Sequence, residues 1–442
     1  MSQPNVIIFT CHDLGDEISP YGVPVRTPNL ERMAAEGALM ENHFSTASIC
    51  SPARGSILSG CYPHTNGLMG PAHRGWELDV DLCPPLPKLL AEMGFETHLF
   101  GYQHEHFDAG RLGYEHVHAP ASHCYAEQVV PRFTEWVRRR RAADAPFFAA
   151  IGVNEAHRMG LEPSHFRRDV YEPPAPADVA VPPYLPDIPE VREDLAGFYG
   201  AVNWADRALG LVLDSLDETG LSEETLLIFT TDHGASFMHG KGTLYDGGVK
   251  VALLIRMPGT IAEGHRSDAM TSHVDVVPTV FDFMGLTLPF QVEGVSFAPL
   301  ARGGAGRSRP CVFAENNYTN YYDPGRMART RQFKYIRKGL RTCIFDFIIP
   351  EIELCPSGFR QNRRVFEFYS ARRCTEELYD VRTDPGEMEN LVEDPGYRET
   401  LSEMRAALDK HLISTADPFG HLRNDLVMPE HGYERARGDE EG

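Results

Sequence analysis

Positive charge, long apolar runs and a disulfide-forming cysteine pattern are all scarce in this chain. Its 42 Lys and Arg face 63 Asp and Glu, a net charge of -21. That balance argues against non-specific binding to nucleic acid or to anionic membranes, both of which need a surplus of cations. An anionic substrate must then be met by a local positive site. No apolar run approaches the length that spans a bilayer. The nine cysteines are odd in number and scattered from Cys11 to Cys374, which does not read as a disulfide framework and fits a reducing compartment. Residues 1–10 lack a basic segment and carry only a four-residue apolar run before His12, so a core strand is expected there instead of a secretory leader. A cytoplasmic location follows as the expectation. No internal repeat is visible.

With 442 residues, 42% hydrophobic and 24% charged, the chain suits a large globular core plus a smaller appended one. Strand and helix signals alternate through the first part. Strands are expected at residues 6–10, 38–44, 95–100, 147–153, 226–231 and 251–257. Helices are expected at 28–37 behind an N-cap at Thr27, and at 52–59, 87–93, 126–141 and about 191–219. Such alternation implies an α/β fold with a large, mostly parallel sheet between helices and an active site at the C-terminal strand ends. The Gly-Gly-Ala-Gly stretch at 303–306 reads as a linker, giving a catalytic domain over 1–305 and a smaller C-terminal α+β subdomain over 306–442. Strand-like segments at 311–314, 333–336 and 378–380 and a helix at 399–412 furnish the latter, and residues 433–442 read as a mobile tail. The proline-rich segment 172–189 reads as an ordered surface loop at the substrate rim, and 138–141 as a solvated helix end.

Polar, metal-capable residues recur where the strands should end. His12 and Asp13 follow the first; Tyr102, Gln103 and His104 follow the strand at 95–100; Glu155 and His157 follow 147–153; Asp232 and His233 follow 226–231. Two carboxylates from different strands can offset a divalent cation that also holds an oxygen nucleophile. Taken singly, each Asp reads as readily as a helix N-cap. One shared site is the more economical reading.

The chemistry is expected at residues 48–60. Cys50 should lie just before a short helix from Pro52 to Ser59, closed by Gly60. Unpaired N–H groups at a helix start attract an anion, and Arg54 adds a fixed charge one turn in. The spacing Cys50-x-Pro52-x-Arg54, then Gly60, Tyr62-Pro63-His64 and Gly67, resembles the signature of the type I sulfatases of the alkaline-phosphatase-like superfamily. Ser59 stands where that family usually has threonine. Lys241-Gly242 through Gly247-Gly248, Glu155-Ala156-His157-Arg158, Val274 to Thr279, Arg329 to Ile336 and Glu377 to Asp380 extend the resemblance along nearly the whole chain. The combination is similar to the heparan N-sulfatase-like branch.

The resemblance implies a sulfuric ester or sulfamate hydrolase. Cys50 would be oxidised by a formylglycine-generating enzyme to formylglycine, the nucleophile. His12, Asp13, Asp232, His233 and residue 50 would hold one divalent cation, calcium by family habit, with manganese or zinc favoured by the imidazoles of His12 and His233. Arg54 and Lys241 would face the transferring group, His157 the leaving group and His104 the second hydroxyl of the nucleophile. Tyr102, which stands where a sulfate-binding lysine is usual, and His239 would contact substrate. The substrate implied is a small sulfated carbohydrate or similar molecule, with no nucleic acid or membrane partner. Tyr102 keeps a second reading open, a phosphonate monoester or phosphodiester hydrolase of the same superfamily. A catalytically silent binding homologue is the third.

Overall fold

The computed structural model describes residues 3–120, 123–141, 144–160, 164–319, 322–339, 352, 355–358 and 374–421. The expected mobile tail at 433–442 lies outside them. In the first part run strands β1 (Asn5–Cys11), β2 (Ala38–Phe44), β3 (Glu96–Gly101), β4 (His116–His118), β5 (Phe147–Gly152), β6 (Thr225–Thr231), β7 (Leu253–Arg256) and β8 (His265–Ser272). Between them lie helices α1 (Pro28–Ala35), α2 (Cys50–Ser59), α3 (Pro63–Asn66), α4 (Leu86–Glu92), α5 (Ala126–Val137), α6 (Pro189–Thr219), α7 (Asp246–Val249), α8 (Val276–Met284) and α9 (Ala298–Ala301).

The eight strands form one sheet in the order β4-β3-β5-β1-β6-β7-β2-β8. Side chains alternate across it because successive strand residues point to opposite faces. Ile7, Phe9 and Cys11 pack toward the side covered by α1, α5 and α6. Val6 and Ile8 pack toward the side covered by α2, α4, α8 and α9. Burial on both faces explains the near-continuous apolar runs of the central strands. Among the described residues no helix is long and apolar enough to cross a membrane.

The sheet is mostly parallel, as expected, but β7 runs antiparallel to both neighbours, β6 and β2. This reversal matters for the site. A parallel crossover would carry the chain to the far edge, whereas residues 232–252 leave β6 and re-enter β7 at the same edge. Strand β8 and the short β4 were not expected from the sequence. His265 to Ser272 is polar at its start and becomes a strand by pairing with β2.

Some boundaries move. Helix α2 begins at Cys50, with Ile49 extended at the cap position, so Cys50 is inside the first turn and not before it. Pro52 is tolerated there because first-turn N–H groups have no intrahelical partner. Helix α5 ends at Val137 and not at residue 141. Thr27 makes no side-chain cap to α1. Asp206 on α6 supplies it instead, accepting from the backbone N–H of Asn29 at 3.2 Å and of Leu30 at 2.8 Å.

Beyond α9 come β9 (Val312–Tyr318), β10 (Tyr322–Arg329), β11 (Phe333–Lys338), β12 (Glu376–Asp380) and α10 (Arg398–Ser414). The strands form an antiparallel sheet in the order β12-β11-β10-β9. Leu401, Met404 and Leu408 of α10 pack on its Ala328, Tyr335 and Leu378. Strand β10 was not expected because Pro324 and Gly325 interrupt its sequence; the register slips between Tyr322 and Gly325.

Candidate active site

Five of the residues singled out from sequence come together. One ligand atom each from His12, Asp13, Cys50, Asp232 and His233 lies within 4.8 Å of all the others. Strand β1 delivers His12 and Asp13, and its parallel neighbour β6 delivers Asp232 and His233 at the same edge. Asp13 adopts a left-handed φ of 54°, which a short polar side chain tolerates, and its N–H donates to Asp232 Oδ1 at 3.0 Å. The turn after β1 is thereby tied to the turn after β6.

The imidazoles are oriented for donation inward. His233 gives its Nδ1 proton to the Gly234 carbonyl at 2.9 Å, leaving Nε2 3.4 Å from Cys50 Sγ and 3.2 Å from Asp13 Oδ1. His12 Nε2 bonds the Tyr102 hydroxyl at 3.1 Å, and Nδ1 faces Asp13 Oδ1 at 2.6 Å and Asp232 Oδ2 at 3.3 Å. Outer partners that fix ring orientation in this way are characteristic of metal-ligating histidines. Two carboxylates, two imidazoles and one residue-50 side chain make a donor set that fits a divalent cation.

Two permanent cations complete the pocket. Lys241 Nζ donates to Asp13 Oδ2 at 2.8 Å and lies 3.3 Å from His157 Nε2. Arg54 Nε donates to Asp232 Oδ2 at 3.0 Å, while its buried Nη2 has no hydrogen-bond partner. A buried guanidinium nitrogen without an acceptor is costly, so the pocket is built to receive an anion. Arg54 also lies over the Tyr102 ring, 4.8 Å from its centroid.

Charge shapes the proton affinities. Burial alone would raise the Cys50 thiol, but His12, Lys241 and His233 outweigh it and hold it well below the ordinary thiol value. Burial would lower His12; Cys50, Asp232 and Asp13 instead push it up to about 9. His157 goes the other way, to about 4, through burial and the nearby Lys241 charge. Its Nδ1 bonds the Arg158 carbonyl at 2.6 Å, so Nε2 presents a lone pair toward Lys241.

His104 Nδ1 bonds the Tyr102 hydroxyl, and His104 helps hold the Cys50 thiol low. His239 is not among the five clustered residues. It is 5% exposed and stacks flat on Tyr245 at 3.7 Å, with Tyr184 on its other flank at 5.4 Å. Tyr184 comes from the proline-rich segment expected at the rim. His64 and His273, left out of the site from sequence, lie elsewhere: His64 against Glu315, and His273 on the Thr231 carbonyl at 3.1 Å.

Several supporting contacts escaped the sequence. Arg158 forms a buried fork on Asp194 of α6 at 2.8 and 2.7 Å and also donates to the Ser236 carbonyl, which fixes the backbone beside His157. Asn316 on β9 accepts from the Ser48 hydroxyl at 2.8 Å and donates to the Gly242 carbonyl at 2.9 Å. One side chain of the smaller sheet thus joins the segment before Cys50 to the segment carrying Lys241. Arg158 stands inside the Glu155–Arg158 motif, but no local motif marks Asp194 or Asn316.

Fold and site together define an α/β chain with Cys50 at a helix start, a metal-competent cluster and two basic side chains at one sheet edge. The chain belongs to the sulfatase family: the family model described as Sulfatase matches residues 4–286. A second model, N-sulphoglucosamine sulphohydrolase, C-terminal, matches residues 234–349. The chain is similar to N-sulphoglucosamine sulphohydrolase of Homo sapiens, 30% identical over 316 residues, which cover 64% of this chain and 61% of that relative. It therefore spans about three fifths of the length of that protein. Its fold is similar to a solved protein in complex with its substrate D-glucosamine-2-N,6-O-disulfate (TM-score 0.70, 18% identity, 96% of this chain and 99% of that one). It is also similar to a phosphonate monoester hydrolase of Agrobacterium radiobacter (TM-score 0.69, 20% identity, 97% and 99%).

Proposed function

We propose that this chain hydrolyses a sulfate ester or sulfamate of a small carbohydrate, using a nucleophile derived from Cys50. The convergence of His12, Asp13, Cys50, Asp232 and His233, flanked by Arg54 and Lys241, carries the reading. Oxidation of Cys50 to formylglycine by a maturation enzyme would furnish the attacking hydroxyl, as family membership implies. The four flanking ligands and residue 50 would hold the divalent ion, which when bound supplies charge that lowers the pKa of a hydroxyl and polarises the sulfuryl oxygens. Arg54, with its open Nη2, binds the transferring group and offsets the charge that develops on it. Lys241 and His157 share a proton and deliver it to the departing oxygen or nitrogen. His104 takes a proton at residue 50, the step that frees inorganic sulfate.

The relative acting on N-sulphoglucosamine favours an amino sugar, and the choice between N–S and O–S bonds is open to direct assay. Tyr102 supports the second reading, a phosphonate monoester or phosphodiester hydrolase, because a neutral hydroxyl stands where a further cation is usual for sulfate. The test compares one matured preparation on 4-nitrophenyl sulfate, D-glucosamine-2-N-sulfate and a 4-nitrophenyl phosphodiester. Sulfate release at the higher kcat/KM is expected. Faster phosphodiester cleavage would overturn the proposal in favour of the second reading, and an unmodified, inactive Cys50 in native material would favour a silent homologue.

A further inference from the structure

We propose that His98, His116 and His118 form a second metal site, for a zinc-class divalent ion, at the outer edge of the large sheet. The residues belong to β3 and the edge strand β4, away from the strand-end cluster. His98 pairs in register with His116, and His116 and His118, two residues apart, share one face of β4. All three imidazoles therefore rise on the same side of two adjacent strands.

One pair of nitrogens is spaced for a shared ion. His98 Nδ1 and His118 Nε2 are 3.1 Å apart. Two imidazole nitrogens bound about 2.05 Å from one metal, at angles between square and tetrahedral, lie about 2.9 to 3.4 Å apart. His116 stacks on His98 with ring centroids 4.6 Å apart and lies 6.5 Å from the His118 ring, so as placed only His98 and His118 meet, and His116, being exposed, must turn its side chain to become the third ligand. The other nitrogen of His98, Nε2, is buried without a hydrogen-bond partner and lies 3.5 Å from Glu96 Oε2. The carboxylate is thus near that nitrogen without bonding it, in place to accept its proton when Nδ1 ligates. Arg140 already pairs with Glu96, so the carboxylate is not a spare anionic ligand. A set of neutral nitrogens selects zinc, nickel or copper over calcium or magnesium.

The same 3.1 Å also accommodates a single N–H···N hydrogen bond between His98 and His118, and the experiment separates the two. Trp136 on α5 supplies a local reporter, its ring 4.3 Å from that of His98. The full chain and its His116→Ala/His118→Ala variant are titrated with Ni2+, reading bound equivalents by equilibrium dialysis and tryptophan fluorescence by quenching. The parent should bind one equivalent more than the variant. Part of its emission should be quenched as that equivalent binds, and Trp136→Phe should abolish that part. His116→Ala alone, at an exposed position, should weaken this binding about 10-fold, which keeps the test decisive if the double variant folds poorly. Equal stoichiometry and equal quenching in parent and variants would overturn the site and leave the hydrogen bond.

Discussion

Cys50 begins helix α2 and His64 follows its C-terminal end, and each sits in a cluster of histidine and carboxylate. Around His64 the charges are closed on one another. Arg326 forks onto both oxygens of Asp417 at 2.6 and 2.8 Å, Asn317 donates to Glu315 at 2.9 Å, and the His64, Glu315 and Asp417 side chains are only 1%, 3% and 0% exposed. Around Cys50, Lys241 donates to Asp13 Oδ2 and Arg54 to Asp232 Oδ2, while Asp13 Oδ1 faces His12 and Asp232 Oδ1 accepts from the Asp13 and His233 backbone N–H groups. Cys50 is half-buried and the His157 side chain is 27% exposed. Residue types alone do not distinguish the two clusters. Each keeps one buried nitrogen without a hydrogen-bond partner, Arg54 Nη2 in one and His64 Nε2 in the other, so what separates the two is the opening to solvent.

If that contrast is right, substitutions at the two clusters should split cleanly between turnover and stability. Cys50→Ala should abolish sulfate release while the thermal melt stays within a few degrees of the parent, because the residue is a nucleophile precursor at a solvent-facing turn. Residual turnover near the parental rate would erase the distinction. Glu315→Gln removes one partner of a buried charge pair that joins β9 to the segment after α2. It should cost about 3 to 5 kcal/mol in denaturant unfolding and leave KM nearly unchanged. Lys241→Ala should lower kcat about 100- to 1,000-fold by removing a charge directed at the transferring group, whereas Tyr102→Phe should cost only about 1 kcal/mol, one neutral hydrogen bond. A larger loss at Tyr102 than at Lys241, measured as kcat/KM on one sulfated substrate, would reassign the anion-binding roles.

The smallest expected effect is a pH dependence confined to the closed cluster. Burial works against charge on both partners, but Glu315 and Asp417 raise the His64 value above its ordinary 6.5, and His64 and Arg326 lower Glu315 to about 2. A raised histidine contributes stability that is fully present below its unfolded value and lost as pH rises through the folded one. A lowered carboxylate contributes above its unfolded value, 4.5 here, and loses that contribution as pH falls toward 2. The joint should therefore be firmest between about pH 4.5 and 6.5. Subtracting the Glu315→Gln melting profile from the parental one isolates this term, which should be level within that window and fall away on the acid side below about pH 4.5 and on the alkaline side above about pH 6.5; a difference that stays unchanged on both sides would show that the cluster does not titrate as a pair.

The sequence by itself determined the place of Cys50 near a helix start, the two Asp-bearing strand ends and the alternation of strand and helix. Each of these is local: a residue spacing, an apolar run, a polar residue where the run stops. Lys241 was legible through its glycine-rich surroundings, but only the reversed strand β7 keeps its whole segment at the same edge as Asp232. The Arg158–Asp194 fork, the Asn316 bridge and the cap that Asp206 gives to α1 were invisible, since each joins residues far apart in the chain. The same holds for Cys50 lying inside the helix turn, and for the difference between the clusters at Cys50 and His64. Those depend on which side chains tertiary packing leaves open to water, and sequence periodicity carries no record of that.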